Sequence, residues 1–140
     1  MRFLGIFAVC FLLFSSSEIQ AQDLTNYQWK NRIILLKDTD LDSDWLQAQL
    51  KRLQSNSKEL LEREVVLFLL SDNFVYDEKR LKTNLQADTI ISQYGLSSFE
   101  GLVLIGKDGG IKLQEEFIVN PTIIIELIDS MPMRMSEMKN

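Results

Sequence analysis

The stretch "YGLSSFEGLVLIGKDGG", Tyr94 to Gly110, decides the fold prediction because it holds a helix end, a strand and a tight turn in succession. Gly95 is predicted to close a helix, since glycine readily adopts the left-handed conformation found at helix ends. Leu102 to Ile105 are continuously apolar, as is typical of a buried strand. Asp108-Gly109-Gly110 can supply the positive φ angles of a hairpin turn, so Ile111 to Glu115 are predicted to return as its second arm.

Two further segments contain a continuously apolar run, as is typical of strands buried on both faces. They are "RIILLK" at Arg32 to Lys37 and "VVLFLL" at Val65 to Leu70. Between them the apolar period changes to that of a helix near Asp44, with Asp42 or Ser43 as its N-cap. We predict that this helix buries one face, whose members are Trp45, Leu46, Leu50 and Leu53.

The rest of the chain continues the alternation of strands and helices. Ser71 to Asp77 are predicted to form a loop, and Glu78 to Tyr94 a helix in one or two pieces. Asn120 followed by Pro121 is typical of a helix start, because proline at the first helical position loses no hydrogen bond. Pro132 is predicted to stop that helix. The predicted order is β-α-β-α-β-β-α.

This order is similar to the thioredoxin-like arrangement, an α/β fold whose central mixed β-sheet is flanked by helices and ends in an antiparallel hairpin. Tyr94 to Gly110 resemble the thioredoxin segment in which a helix ends in Tyr-Gly before that hairpin. The resemblance implies a cis-proline two residues before the apolar run, and Glu100 stands there instead. It also implies paired cysteines after the first core strand, where this chain has "KDTDLDSDW", Lys37 to Trp45.

The N-terminal residues have the pattern of an export signal. Arg2 provides positive charge, Phe3 to Phe14 are uninterruptedly apolar, and Ser15 to Ala21 end the segment on a small residue. We predict a signal peptide over residues 1–21, cleaved after Ala21, and a single thioredoxin-like domain over residues 22–140. The mature protein is expected to be periplasmic or secreted, with no stable membrane insertion. An uncut membrane anchor is the alternative.

Composition restricts the chemistry. The net charge is −5, with scattered Lys and Arg, which argues against a nucleic-acid surface because phosphate binding needs clustered cations. The chain has no histidine, and Cys10, its one cysteine, lies in the predicted signal peptide. We therefore predict no enzyme activity and no cofactor, since a Cys/His zinc site or a thiol nucleophile would need these residues. A disulfide reductase acting through Cys10 would require an uncut N-terminus.

Four aspartates alternate in the loop after the first strand. Asp40, Asp42 and Asp44, following Asp38, are candidate ligands for a hard cation such as Ca²⁺. The EF-hand pattern fails whether it starts at Asp38 or at Asp40, because its glycine and its final glutamate are missing. The alternative is a helix N-terminus that favours nearby carboxylates. A metal-dependent binder or enzyme using these three aspartates, with Glu100, remains the second functional hypothesis.

The C-terminal stretch "MPMRMSEM" is rich in methionine. Met131, Met133 and Arg134 are candidate partner-binding residues, since methionine surfaces adapt to different partners and also bind soft metals. The alternative is that the methionines pack onto the domain while Arg134 pairs with Asp129. The favoured partner class is an unknown protein or cell-envelope component.

Several segments together resemble the thioredoxin-like and peroxiredoxin-like family known as DUDES. They are "YQWKNRIILL" at Tyr27 to Leu36, "ERE" at Glu62 to Glu64, "LVLIGKDGGIKL" at Leu102 to Leu113 and "IDSMPMRMSEM" at Ile128 to Met138. The resemblance implies a redox-inactive fold, with small exported bacterial members of unknown function and the same domain in animal secreted matrix proteins. The predicted function is an exported, redox-inactive binding module.

Overall fold

A computed structural model describes residues 23–140, in which five strands form one sheet. The strands are β1 (Arg32–Lys37), β2 (Val65–Leu70), β3 (Val75–Asp77), β4 (Gly101–Ile105) and β5 (Ile111–Glu115). Their order across the sheet is β3-β2-β1-β4-β5. β1 runs parallel to β2 and antiparallel to β4, and β4 and β5 form the predicted hairpin. The mixed sheet therefore has the predicted arrangement.

Helices cover both faces of this sheet. They are α1 (Asp44–Gln54), α2 (Ser57–Glu62), α3 (Ala87–Tyr94), α4 (Pro121–Asp129) and α5 (Pro132–Lys139), and a short 3₁₀ helix spans Leu24–Tyr27. Central strands with helices on both faces must be apolar on both sides. Ile34 and Leu36 of β1 accordingly pack with α1, α2 and α4, whereas Ile33 and Leu35 pack with α3 and the 3₁₀ helix.

Three helix ends were predicted correctly, and each has a clear physical cause. Ser43 is the N-cap of α1, where its hydroxyl accepts a hydrogen bond from the backbone N–H of Leu46 at 3.2 Å. Gly95 ends α3 in the left-handed conformation, with φ of 65°. Asn120 accepts from the backbone N–H of Thr122, and Pro121 occupies the first position of α4.

The region after β2 was predicted wrongly. Part of the predicted loop is the edge strand β3, and residues 78–86 of the predicted helix are not helical. Asp77 accounts for the difference, because its Oδ1 accepts hydrogen bonds from the backbone N–H groups of Lys79 and Leu81. Such side-chain bonds offer the backbone a turn in place of a helix. Thr83 then donates through its backbone N–H to the carbonyl of Val75 and keeps the turn against β3.

Two predictions about α1 and the C-terminus also need correction. Trp45 does not belong to the buried face of α1, since it is 65% exposed while Leu46, Leu50 and Leu53 are buried. Pro132 ends the preceding helix as predicted, but it also begins α5. Proline fits that position because its missing N–H would have no partner in the first helical turn.

None of the helices within residues 23–140 combines the length and apolar character needed to cross a bilayer. The predicted signal peptide, with Cys10, lies outside the described residues.

Candidate functional site

The acidic loop, residues 38–44 between β1 and α1, is organised by the buried carboxylate of Asp38. Its Oδ2 accepts a hydrogen bond from the hydroxyl of Ser43 at 2.6 Å, and its Oδ1 accepts from the backbone N–H of Asp40 at 2.9 Å. Ser43 in turn caps α1. Asp38 therefore holds the cap residue in place, and both of its carboxylate oxygens accept hydrogen bonds from within the loop.

The other three aspartates of the acidic loop each have a different structural environment. Asp40 accepts from the backbone N–H of Asp42 at 2.9 Å, and Asp42 forms an exposed ion pair with Arg80 at 2.7 Å. Asp44 lies in the first turn of α1, where the helix dipole favours a negative charge. Across residues 23–140, no three acidic side chains come together in a way that could hold a metal ion. The structure does not bring Asp40, Asp42 and Asp44 together.

Charged pairs surround the acidic loop. Lys37 at the end of β1 is fully buried, and its Nζ lies 3.0 Å from Oδ1 of Asp72. Glu100 accepts a hydrogen bond from the hydroxyl of Thr39 at 3.1 Å. Where a thioredoxin-like enzyme has thiols, this surface presents carboxylates. Such groups can bind charged or polar ligands, but they cannot exchange disulfides.

A second surface, which we name the edge groove, lies beside the first half of β2. The groove has a volume of about 740 Å³. β3 pairs only with Phe68, Leu69 and Leu70, so Val65 to Leu67 have no neighbouring strand on that side within the described chain. The lining of the edge groove is mainly apolar. It comprises Tyr27, Leu53, Leu60, Leu61, Val65, Val66, Leu67, Phe68 and Leu81, with Gln54, Ser57, Lys58, Asp77, Glu78 and Lys79.

The edge groove contains side chains from both faces of the sheet. Val65 and Leu67 belong to the core beneath α1 and α2, whereas Val66 and Phe68 belong to the opposite core. The ring of Tyr27 packs edge-on against Phe68, with centroids 5.4 Å apart. At the rim, Leu61 and Leu81 are 74% and 63% exposed. The groove therefore wraps around a free strand edge.

The three C-terminal candidates for partner binding, Met131, Met133 and Arg134, differ in their exposure to solvent. Met133 is exposed, as are Met135 and Met138, whereas Met131 is partly buried against the core beneath α4. Arg134 is buried, and its Nε lies 3.3 Å from Oδ1 of Asp129, as the pairing alternative predicts. The prediction that the methionines pack onto the domain was thus correct only for Met131. The other methionines are exposed because α5 turns charged side chains toward the domain.

Those charged side chains belong to what we name the sheet-end network, at the start of β1. Its four cations are buried, although they are scattered along the sequence. Lys107 Nζ lies 2.9 Å from Glu64 Oε2 and 2.5 Å from Glu137 Oε1. The network comprises Arg32, Arg63, Lys107 and Arg134 with Glu64, Asp129 and Glu137.

The contacts of the sheet-end network favour the charged forms of its members. Hydrogen bonds from Arg63 hold the pKa of Asp129 below its ordinary value despite partial burial. Burial alone would raise the pKa of Glu137, but hydrogen bonds from Lys107 and Arg32 outweigh burial and lower it. Burial would likewise lower the pKa of Lys107, yet its bonds to Glu137 and Glu64 raise it. These contacts therefore favour the charged forms of Asp129, Glu137 and Lys107 at neutral pH.

A family model described as a domain of unknown function (DUF4174) matches residues 23–137. The chain belongs to the DUF4174 family. The matched range includes the acidic loop, the edge groove and Glu137 of the sheet-end network.

Solved peroxiredoxins resemble the DUF4174 domain in fold. Reduced 2-Cys peroxiredoxin of Plasmodium vivax aligns with a TM-score of 0.57 at 18% identity, covering 81% of this chain and 83% of that one. Thioredoxin peroxidase I of Plasmodium yoelii aligns at 0.58 and 15% identity, covering 81% and 79%. The mitochondrial 2-Cys peroxiredoxin of Plasmodium falciparum aligns at 0.53 and 18%, covering 78% and 80%. These likenesses confirm the predicted thioredoxin-like α/β fold.

A comparison of this DUF4174 domain with curated proteins finds no match.

Neither the edge groove nor most of the sheet-end network was predicted from the sequence. One clue was available, because Arg32 begins a strand whose middle is apolar, and a charge buried there requires a partner. Nothing local identifies that partner, since Glu137 lies 105 residues further along the chain. The groove has no sequence signature, because it is formed by residues from the 3₁₀ helix, α1, α2, β2 and the turn after β3.

Proposed function

We propose that this DUF4174 domain is an exported, redox-inactive binding module that binds an extended polypeptide segment in the edge groove. The observation that carries this proposal is the open first half of β2 on the floor of the groove. A strand edge with free backbone groups is a template for an added strand. The partner is a protein or a protein component of the cell envelope.

The backbone of β2 has the donors and acceptors that such a partner requires. The carbonyls of Glu64 and Leu70 accept hydrogen bonds from Arg32 and Asp38, so the even-numbered residues direct their backbone groups toward β1. Because successive residues of a strand alternate, Val65 and Leu67 direct their N–H and C=O groups toward the groove. A partner strand would pair with these two residues.

The walls of the edge groove match the alternating side chains of a strand. On one side an added strand would meet Leu60 and Leu61 of α2, and on the other Tyr27 and Phe68. Lys58, Lys79 and Glu78 at the rim would remain near solvent, where they can select among polar residues of the partner. Binding would therefore combine main-chain hydrogen bonds with apolar contacts on both faces of the strand.

Redox inactivity and export rest on the sequence. Residues 23–140 contain no cysteine, and carboxylates occupy the loop in which thioredoxin-like enzymes have thiols. Glu100 stands where the thioredoxin pattern has a cis-proline. The signal pattern of residues 1–21 and the resemblance to the DUDES family, with its small exported bacterial members, support export.

The test uses residues 22–140 as bait for proteins of an envelope extract. The double variant Leu61→Glu/Leu81→Glu should lose the captured partner, because two charges at the rim would have to be desolvated on binding. The control is Ile123→Glu, since Ile123 is an exposed apolar residue of α4 outside the groove. In NMR spectra, a bound partner should shift the amide resonances of Val65 and Leu67. Equal capture by the groove variant, or capture without these shifts, would refute the proposal.

A further inference from the structure

Arg32 depends on α5 for its charge partner. Its side chain is 1% exposed, and Glu137 is the one carboxylate that contacts it among the residues that the structure describes. The hydrogen bonds between the two side chains are long, with Arg32 Nη1 3.2 Å from Glu137 Oε2 and Arg32 Nη2 3.4 Å from Glu137 Oε1. Arg32 Nε is buried with no hydrogen-bond partner among residues 23–140. The guanidinium therefore has donor capacity that a glutamate with two oxygens leaves unused.

The same carboxylate is shared by two other buried cations. Lys107 Nζ contacts Glu137 Oε1, and Arg134 Nη1 lies 3.6 Å from Oε2. Without Glu137, Lys107 would keep Glu64 and Arg134 would keep Asp129, but Arg32 would keep only the backbone carbonyl of Arg63. A buried cation without a counter-charge is strongly unfavourable, so another anion would have to replace Glu137.

Glu137 is in a position to be replaced. Its side chain is 26% exposed, so the site opens to solvent at that carboxylate. α5 directs Met133, Met135 and Met138 outward, so little apolar surface holds the helix on the domain. Its attachment depends instead on ion pairs to other elements, which join Glu137 to Arg32 and Lys107 and join Arg134 to Asp129. Ion pairs yield to a competing anion, whereas apolar contacts do not.

We propose that Arg32, Lys107 and Arg134 form a binding site for a small soluble phosphate, and that Glu137 occupies this site as a displaceable internal ligand. A phosphate group carries up to two negative charges and offers more acceptor oxygens than a carboxylate, so it can use the free Nε of Arg32 as well as Lys107. The three cations lie below the surface, which excludes the headgroup of a flat bilayer. The site is independent of the edge groove.

The test compares phosphate binding by residues 22–140 with chloride at matched ionic strength. Glu137→Gln removes the internal competitor while keeping the size of the side chain, so phosphate should bind about tenfold more tightly than to the unmodified protein. Glu126→Gln is the matched control, because Glu126 is exposed on α4 and has no ion pair among the described residues. Adding Lys107→Met to Glu137→Gln should abolish the gain. Equal phosphate affinity in Glu137→Gln and the control would overturn the proposal.

The unmodified protein provides a second measurement that does not depend on the stability of any variant. Phosphate should shift the Nε–H resonance of Arg32 in NMR spectra, and chloride should not. If phosphate leaves that resonance in place up to its solubility limit, or if chloride moves it equally, the site does not bind phosphate.

Discussion

At the scale of single residues, Gln49 connects α1 to a distant segment of the chain. Its side chain is fully buried among the leucines of α1. The Nε2 group donates to the carbonyl of Val119 at 3.0 Å, and Oε1 accepts from the backbone N–H of Val119 at 2.6 Å. One amide therefore satisfies both backbone groups of a buried residue just before α4.

Replacing Gln49 with leucine should lower the free energy of unfolding by about 2–3 kcal/mol, because both backbone groups of Val119 would be buried without partners. Urea denaturation followed by circular dichroism measures this difference. Gln54→Leu, at an exposed position near the end of the same helix, should change stability by less than about 0.5 kcal/mol. Similar losses in both variants would contradict the assigned role of Gln49.

The limits of sequence-based prediction are visible at these positions. Residue 49 falls on the buried face marked by Leu46, Leu50 and Leu53, but the sequence prediction of that face did not include it. Its bonds to Val119 could not be predicted from local pattern, because Val119 lies 70 residues away and contributes only backbone atoms. Ser43 was easier to identify, since capping depends on neighbouring residues alone.

At the scale of elements, α5 contacts the rest of the domain through ion pairs. Local pattern predicted that Pro132 would end a helix, but it did not reveal the new helix, whose Glu137 pairs with Arg32 and Lys107 from other elements. The strand β3 was missed for a similar reason, because a three-residue edge strand is defined by its pairing with β2. Elements with strong internal periodicity were predicted well, and elements defined by tertiary contacts were not.

The docking of α5 should make stability depend on pH. The folded-state pKa values of Asp129 and Glu137 lie below their ordinary values of 3.8 and 4.5. Their stabilising contribution is therefore present above those ordinary values and is lost as pH falls through the lower folded-state values. The stability difference between the unmodified protein and the variant Asp129→Asn/Glu137→Gln should be largest near pH 7 and shrink below about pH 4.5.

Urea denaturation at several pH values between 7 and 3 measures that difference. Glu126→Gln should follow the unmodified protein at every pH, since no ion pair involves Glu126 among the described residues. A stability difference that stays constant from pH 7 to 3 would show that the two carboxylates are not the groups that titrate.

At the scale of the whole molecule, sequence order predicted the fold but not the surfaces. The alternation of strands and helices and the Asp-Gly turn are local features, and together they restrict the topology to a thioredoxin-like sheet. The edge groove requires segments separated by many residues. The sheet-end network likewise gathers cations that are scattered in a chain of net charge −5. Function was therefore harder to predict than fold.

Export can be checked on the whole chain. Expressed in a bacterium with its own N-terminus, the protein should be recovered from the periplasm or medium with an intact mass that begins at Gln22. Ala21→Leu should slow this cleavage, because signal peptidase requires a small residue there, whereas Ala8→Leu within the apolar run should not. Recovery of the full-length chain from the cell interior would contradict the predicted signal peptide.

The pairing of Arg32 with Glu137 also has a consequence for the order of folding during synthesis. The ribosome makes Arg32 105 residues before Glu137, and chains emerge from their N-terminal side. Throughout that interval β1 lacks the carboxylate that neutralises its first residue, so closing the sheet early would trap an uncompensated charge. We therefore expect native closure to wait until α5 has emerged. Under the proposed export, a chain that stays open for longer is suited to threading through a translocation channel.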